Sequence, residues 1–225
     1  MSRSTAIAST KSTLPTATAA RLLQDIDSDA FPSPPQWRTA SPIRFSADWQ
    51  GKNPDPRRET EVRLLWCAQT LFLQFRAHFR TITVFSDAEP SGRRDHLWDR
   101  DVAEVFLQPD TSDPQRYLEF EASPNGMWLD LALDHGARQD LNSNLRRRVS
   151  VSPARIWTAE LAIPMSSLTP AFNPAATWRL NFFRVEGPAE PRFYSAWSPT
   201  HTPEPNFHVP SAFGKLVFNP ASACA

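Results

Sequence analysis

The sequence predicts an all-β fold, an antiparallel β-sandwich of the jelly-roll type with about ten strands and almost no helix. Short runs rich in β-branched and aromatic residues recur at regular spacing from residue 60 onward. The 225-residue chain contains 22 prolines and only 6 glycines, which disfavours long helices because proline interrupts their hydrogen bonding. The pair Asn125-Gly126 stands between two alternating runs and is typical of a β-hairpin turn.

Each predicted strand is a short segment that alternates apolar and polar residues or is continuously apolar. The segments are 60–67, 71–79, 102–108, 117–123, 127–133, 145–152, 155–164, 177–187, 192–198 and 214–218. Residues 165–168 are predicted to form one helical turn. We therefore expect one sandwich domain over residues 31–220, preceded by a disordered Ser/Thr/Ala-rich tail over 1–30 and followed by a tail over 221–225.

Charge and composition argue against several classes of protein. Lysine and arginine balance aspartate and glutamate at 24 each, so we expect no nucleic-acid partner. An apolar run of about 18 residues is absent from the sequence, so no membrane insertion is expected. No apolar core of a signal peptide precedes residues 17–20, which favours a cytoplasmic location over export. The sequence does not indicate an oligomeric state.

One predicted strand carries a charge among apolar residues. Glu104 shares a strand face with Val102 and Phe106, and an acid in such a place needs a partner or a function, because burying an unpaired charge is costly. Arg100 and Arg184 are the candidate partners. Trp98 precedes the strand, where it is either a lid on the core or a platform for stacking a sugar, whose C–H groups pack on aromatic rings.

Other polar side chains on the strands are secondary candidates for ligand binding. Alternation places Glu119 and Glu121 on one face of their strand, where a solvated outer sheet face is the simpler explanation. Asp110 and Asp113 offer oxygen ligands for a metal, although turn formation explains them equally. The secondary binding candidates are Arg116, Glu119, Glu121, Trp128, Asp130, Asn181 and Arg184.

Five segments in order resemble the family 9 carbohydrate-binding modules, within the wider group of DOMON-like sandwich domains. The resemblance runs from about residue 35 to residue 218. The segments are LWDRDVAEVFLQPD, YLEFEASPNGMWLDL, IWTAELAIPMSSL, WRLNFFRVEG and YSAWSPTHTPEPNFHVPSAFGKLVF.

The resemblance implies a β-sandwich, sometimes with bound Ca²⁺ as its only cofactor, that holds glucose, xylose or the end of a cellulose or xylan chain between two tryptophans. By motif position, Trp98 and Trp197 resemble these tryptophans. Glu104 resembles the acid that binds hydroxyl groups, and Arg100 and Asp101 lie beside it. The amide that the family places before the second tryptophan is missing here, and Arg116 matches the family's arginine only weakly.

The expected function is non-catalytic binding of a mono- or oligosaccharide. One alternative is a protein-interaction sandwich whose sugar pocket has decayed. Another is a glycoside hydrolase that uses two of the strand carboxylates. Haem binding is a further alternative, but His78 and Met127 do not form a recognisable axial ligand pair.

Overall fold

The computed structural model describes residues 14–23, 26, 29–87 and 92–219. Thirteen strands lie in this part of the chain, with two helices of a single turn, α1 (Pro34–Trp37) and α2 (Met165–Leu168). The strands are β1 (Thr16–Arg21), β2 (Ile43–Phe45), β3 (Thr60–Trp66), β4 (Thr70–His78), β5 (Val102–Gln108), β6 (Arg116–Ala122), β7 (Trp128–Asp134), β8 (Ala137–Asp140), β9 (Arg146–Ser152), β10 (Ile156–Pro164), β11 (Trp178–Glu186), β12 (Phe193–Ala196) and β13 (Gly214–Phe218). The prediction of an all-β sandwich is confirmed.

Two sheets face each other and are joined at one edge. The first has the order β8-β7-β6-β5-β11-β13-β1, with β12 also paired to β11. The second has the order β1-β3-β4-β10-β9, with β2 paired to β3. Strand β1 belongs to both, because Thr16–Ala19 run parallel to β13 and Ala20 and Arg21 run parallel to β3. The edge at which the two sheets meet is thus closed by backbone hydrogen bonds.

Within the predicted disordered tail over residues 1–30, residues Thr16–Arg21 form strand β1. Ala17 and Ala19 of β1 are fully buried, and alanine is small enough to fill the narrow seam where the sheets meet. The run TATAAR lacks bulky apolar residues, so it gave no core-strand signal. Strand β2, which has only three residues, and strand β8, which is short and exposed throughout, were missed as well. Residues 1–13 and the predicted tail 221–225 lie outside the described residues.

The main core lies between the two sheets. Phe75 of β4 and Phe182 of β11 meet edge to face across it, with ring centroids 6.0 Å apart. Burial of one such ring contributes roughly 1.5–3 kcal/mol. The largest buried side chains of this core include Leu64, Leu71, Phe75, Phe120, Trp157 and Phe182.

A second apolar cluster covers the outer face of the first sheet. Phe106 and Phe183 project from β5 and β11, and the loop residues Phe207 and Phe213 pack over them. Phe183 stacks on Phe207 with centroids 4.2 Å apart and planes 13° from parallel. This face, which alternation predicted to be solvated, is therefore largely covered. In the described part of the chain, no helix has the length and apolar character needed to cross a membrane.

Candidate functional site

The strand register brings three carboxyl groups to the covered outer face. Glu104 of β5 lies directly opposite Glu121 of β6, and Phe106 lies opposite Glu119. Residues directly opposite each other in an antiparallel pair point to the same face, so Glu104, Glu119 and Glu121 lie together. Phe183 of β11 pairs with Glu104 from the other side.

A cleft of about 250 Å³ opens above this face. Glu104, Glu119 and Val185 form its floor, so two buried carboxyl groups lie beside an apolar side chain there. Its remaining lining comes from the 3-10 turn before β5, from β8 and β12, and from the loop before β13. These residues are Trp98, Arg138, Arg192, Tyr194, Pro205, Asn206, Phe207 and His208.

Arg192 links Trp98 and Tyr194, two aromatic residues of the cleft, by hydrogen bonds. Arg192 donates hydrogen bonds to the backbone oxygen of Trp98 at 2.7 Å and to the Tyr194 hydroxyl at 2.6 Å. Its Nε also forms an ion pair with Glu190 at 3.1 Å. Tyr194 in turn donates to Glu190 at 2.5 Å. These bonds fix the relative positions of Trp98 and Tyr194.

The indole of Trp98 is also held by its neighbours. The Arg138 guanidinium lies 4.4 Å from the centre of the Trp98 ring, within the range of a cation–π contact. The His96 ring lies 4.7 Å away, tilted by 37°. Arg138 is itself paired with Asp95 at 3.2 Å. Trp98 is half-buried, so part of its surface remains open to a ligand.

The three carboxyl groups are almost completely buried. The exposed fraction is 2% for Glu104, 3% for Glu119 and 0% for Glu121. Burial raises the pKa of Glu104 well above its usual range, and the charge of Glu119 raises it further, whereas Arg192 lowers it. Burial likewise raises the pKa of Glu121, with added repulsion from Glu104 and Glu119 and a hydrogen bond to Glu119. Two carboxyl groups can form that bond only when one of them holds a proton.

Several carboxyl oxygens of the cluster lack an ordinary hydrogen-bond donor. Glu104 Oε1, Glu119 Oε2 and both Glu121 oxygens have no partner of this kind among the described residues. Buried polar atoms are rarely left in this state. Glu121 lies beside Glu119 on β6, so a protonated carboxyl of one can donate to the other. Glu104 and Glu119 line the cleft, so a bound molecule can donate to them.

A tyrosine–histidine pair lies at the other side of the cleft. The Tyr117 hydroxyl and His208 Nδ1 share a hydrogen bond of 2.9 Å, and both rings pack on Phe106. Burial raises the pKa of Tyr117 to about 12 and lowers the pKa of His208. Both side chains are therefore uncharged near neutral pH.

Of the five principal sequence candidates, Trp98 and Glu104 lie in the cleft. Arg100 does not: it donates to the Asp99 backbone oxygen at 2.8 Å, and its guanidinium lies 4.7 Å from the Phe85 ring. Asp101 is fully buried and accepts from the backbone N–H groups of Thr83 and Gly187, at 3.2 and 2.8 Å. Its carboxylate therefore joins three chain segments.

Trp197 also lies outside the cleft, in contrast to the prediction. Tyr194 and Ala196 pair with Val185 and Phe183 on the outer face of the sheet, so the alternation of β12 turns Trp197 to the inner face. Its ring packs on Phe182 with centroids 5.6 Å apart, against the main core. Tyr194 takes the place in the cleft that the sequence analysis gave to Trp197.

Three secondary candidates point into the sandwich instead. Asp130 pairs with Phe120, and Trp128 pairs with Ala122, on the inner face. Asp130 accepts from the Ser143 backbone N–H at 2.7 Å. Arg184, opposite Ala103, is fully buried beside Trp157 and forms an ion pair with Glu186 at 3.2 Å. It is therefore not the partner of Glu104.

The other secondary candidates have different positions. Glu119 lines the cleft, and Glu121 lies next to it in the same sheet. Asn181 is on the outer face, where it donates to the Ser198 backbone oxygen at 2.8 Å and accepts from the Ser198 N–H at 3.0 Å, fastening the loop after β12. Arg116 is exposed and pairs with Asp134 at 3.1 Å.

Asp110 and Asp113, the two candidate metal ligands, accept hydrogen bonds within their own turn. Asp110 accepts from the Ser112 N–H and Asp113 from the Gln115 N–H. Calcium takes about six to eight oxygen ligands, and this turn offers two carboxylates that are already engaged. Across the residues that the structure describes, no three His, Cys, Asp or Glu side chains gather as a metal-binding group.

Sequence analysis missed most of the cleft lining outside the sheet. Arg138 comes from β8, which was not predicted, and Arg192 and Tyr194 come from the segment leading into and along β12. Asn206 and His208 come from an irregular loop. The long-range pairing that gathers these segments leaves no local signal, although the alternation of β12 around Tyr194 was available.

Comparison with known proteins agrees with this architecture. Residues 32–220 match the family described as carbohydrate family 9 binding domain-like. The chain belongs to this family. The predicted resemblance is thereby confirmed.

Individual proteins are similar to this chain in sequence or in structure, at low sequence identity. An extracellular protein of Arthroderma benhamiae is 27% identical over 195 residues, covering 78% of this chain and 85% of that protein. A candidate carbohydrate-binding protein of Bacteroides uniformis superposes with a TM-score of 0.75 at 17% identity, over 92% of this chain and all of that one. A family 9 carbohydrate-binding module of Caldicellulosiruptor kristjanssonii, solved with cellotriose, gives a TM-score of 0.64 at 13% identity, over 92% and 95% of the two chains.

Proposed function

We propose that the cleft above β5 and β6 binds a mono- or oligosaccharide and does not chemically change it. The observation that carries this proposal is the combination of Trp98 and Tyr194 with the buried, partly unpartnered carboxyl groups of Glu104 and Glu119 in one cleft. A sugar ring has apolar C–H groups that pack on aromatic rings and hydroxyl groups that need hydrogen-bond partners at its edge. The cleft offers both kinds of contact.

Each lining group has a distinct role in this proposal. Trp98 and Tyr194 supply the aromatic surfaces, and Arg192 keeps them in place. Glu104 and Glu119 bond the hydroxyl groups, and Asn206 supplies an amide that can donate as well as accept. This amide comes from the loop before β13, whereas the family resemblance placed one before the second tryptophan.

The comparisons support the class of ligand. The family is described as a carbohydrate-binding one, and the Caldicellulosiruptor kristjanssonii module was solved with cellotriose and with glucose. A glucose unit, free or at the end of a short β-linked chain, is therefore the first ligand to test. The volume of about 250 Å³ lies at the lower end of ligand pockets, which favours one sugar unit over a long segment.

Binding should be measured by calorimetry and tryptophan fluorescence with glucose, cellobiose, cellotriose and xylobiose. We expect a folded Trp98→Ala protein to lose at least about tenfold in affinity, because stacked aromatic contacts contribute on the order of 1 kcal/mol beyond the surface they bury. Trp197→Phe is the matched control and should bind like the wild type. A well-folded wild type that binds none of these sugars would contradict the proposal and favour an interaction domain.

Absence of turnover needs its own measurement. The strand carboxyl groups that favour binding could also act as an acid and a nucleophile in glycoside hydrolysis. Prolonged incubation with aryl β-glucoside and aryl β-xyloside should release no phenol above the buffer background. Release that Glu104→Gln or Glu119→Gln abolished would instead establish a hydrolase.

A further inference from the structure

Two carboxyl oxygens of the cleft lining are available to a bound hydrogen-bond donor. Glu104 Oε1 and Glu119 Oε2 lie in the cleft lining without a hydrogen-bond partner among the described residues, and each side chain is at least nine-tenths buried. Oxygens of this kind are normally satisfied by a donor or by a cation. A bound molecule that donates hydrogen bonds would satisfy both oxygens.

The arginines of the cleft do not supply these donors. Arg192 directs its hydrogen bonds to Trp98, Tyr194 and Glu190. Arg138 pairs with Asp95 and lies against Trp98. Since each arginine already has a carboxylate of its own, Glu104 and Glu119 remain as an excess of two acidic groups, with Glu121 as a third beside them.

The walls of the cleft suit a positive charge as well. Aromatic ring faces attract cations through their negative quadrupole, and two rings of this lining already do so: the guanidinium groups of Arg138 and Arg192 lie 4.4 and 5.0 Å from the ring centres of Trp98 and Tyr194. Phe207 adds a third ring to the lining. Carboxyl groups at the floor and aromatic rings at the sides are the two elements that bind ammonium groups in proteins. The lining therefore favours a ligand with a protonated amine over one with hydroxyl groups alone.

We infer that the preferred ligand is an amino sugar, a saccharide whose ammonium group is held by Glu104 and Glu119. This inference rests on the proposed function, because it names the class of sugar that the same cleft takes. Ring stacking on Trp98 is common to all sugars. The ammonium contact to the two carboxyl groups is the part that distinguishes amino sugars from neutral ones.

Binding of the ammonium group displaces protons from the carboxyl cluster. Before binding, burial and mutual repulsion keep Glu104 and Glu121 protonated over a wider pH range than usual. When the ammonium donates its N–H groups to the floor, a carboxyl proton leaves to solvent, so the charge in the cleft is unchanged. Tyr117 and Tyr194 keep their protons because the pKa of each is about 12, and His208 has a lowered pKa. The pKa of Glu104 is raised, so this carboxyl is the cleft group that releases the proton.

The decisive experiment compares glucosamine, glucose and N-acetylglucosamine by calorimetry at about pH 6, where amines are protonated. We expect glucosamine to bind about tenfold more tightly than the two neutral sugars, the effect of one charge-assisted hydrogen bond. Its affinity should also rise with pH up to the pKa of its own amine, while the affinity for glucose does not rise. Glucosamine binding no tighter than glucose would overturn the inference and leave the proposed function in place, whereas no binding of any of the three sugars would overturn both.

Variants test whether the two acids provide the preference. Glu119→Gln and Glu104→Gln keep the size of the side chain and remove its charge, and each should reduce the advantage of glucosamine over glucose to about twofold or less. Asp134→Asn, an exposed acid outside the cleft, is the control and should keep the full advantage. An advantage that survives both Gln variants would overturn the inference. If neither variant folds, the comparison of the free amine with its acetylated form in the wild type decides the question.

Discussion

Glu104 and Glu121 lie directly opposite each other on adjacent strands, on a sheet face covered by a second apolar cluster. Like charges in this position destabilise a sheet, and here both side chains are almost without exposure to solvent. Burial and mutual repulsion raise the pKa of both carboxyl groups, so that protonation reduces the repulsion between them. The repulsion between Glu104 and Glu121 therefore destabilises the folded protein, and a ligand that donates to Glu104 can reduce this destabilisation.

We predict that Glu121→Gln stabilises the protein at neutral pH. The pKa of Glu121 is higher in the folded than in the unfolded chain. As pH rises above about 4.5, the unfolded chain therefore releases its proton first, and the free energy of unfolding falls. Glutamine removes this titration and can donate a hydrogen bond to Glu119. The free energy of unfolding of the variant should therefore exceed that of the wild type by on the order of 1 kcal/mol at pH 7. Urea unfolding across the range from about pH 4 to pH 8 measures it.

The pH dependence identifies the cause of that gain. At about pH 4 the wild type and Glu121→Gln should have nearly the same free energy of unfolding, and the difference should grow as pH rises. Glu204→Gln, which alters an exposed acid away from the cluster, should leave the slope unchanged. A variant that is less stable than the wild type at neutral pH would contradict this account of the cluster.

The second prediction concerns Arg192, which bonds to the Trp98 backbone and the Tyr194 hydroxyl. Arg192→Met keeps an apolar stem of similar length and removes both bonds. We expect sugar affinity to fall about tenfold, because hydrogen bonds to charged groups contribute roughly 1.5–3 kcal/mol each and part of this is recovered from water. Calorimetry with glucose measures the loss.

Comparing Arg192→Met with Glu190→Gln, a variant of the same loop, tests whether the bonds to Trp98 and Tyr194 set the affinity. Glu190→Gln keeps Arg192 in place while removing its ion pair at an exposed site, so we expect a change in affinity of less than about threefold. Equal losses for Arg192→Met and Glu190→Gln would show that the loop as a whole, and not the two bonds to the aromatic residues, sets the affinity.

The sequence predicted the strands well where their residues were bulky and alternating. Strand β5 and the hairpin of β6 and β7 follow the predicted segments within a residue or two, because Val, Phe and Leu at every second position leave little choice of face. Strand β1 was missed because its buried residues are alanines. Their burial is decided by distant partners on β3 and β13.

The sequence predicted correctly only those cleft residues that lie on one continuous segment of the chain. Trp98 and Glu104 belong to one local segment, and the structure places both in the cleft. Trp197 was chosen by its motif position, whereas the alternation of β12 places Tyr194 on the cleft side and Trp197 on the inner face. Grouping Asp130 and Trp128 with Glu119 failed because the β6–β7 register places Leu131, and not Asp130, opposite Glu119. A sequence gives the alternation within a strand but not the register between strands.

The third prediction concerns Gly214, at the start of β13. A Cβ atom there would lie 2.6 Å from both the Trp197 ring and the Pro15 backbone oxygen, closer than atoms can pack. We expect Gly214→Ala to cost about 1–3 kcal/mol in the free energy of unfolding, as overpacked cores do. Urea unfolding measures this cost.

Sugar binding separates this core effect from an effect on the cleft. Because Trp197 lies on the inner face, folded Gly214→Ala protein should bind sugar with an affinity within about twofold of the wild type. Gly126→Ala is the contrasting glycine, since nothing lies within 4 Å of its added Cβ and its cost arises from its positive φ of 86° alone. A Gly214→Ala protein of normal stability would refute the close contact.

The last prediction is that β1 contributes to holding the two sheets together. Removing residues 1–21 deletes four paired positions with β13 and two with β3, and it uncovers the seam now filled by Ala17 and Ala19. Since each backbone hydrogen bond contributes roughly 0.5–1.5 kcal/mol, we expect a loss on the order of 3 kcal/mol. Removing residues 1–13 alone is the matched control, because it keeps β1 and its pairing with β13 and β3. Equal stability of the two truncated proteins, measured by urea unfolding, would show that the sandwich closes without β1.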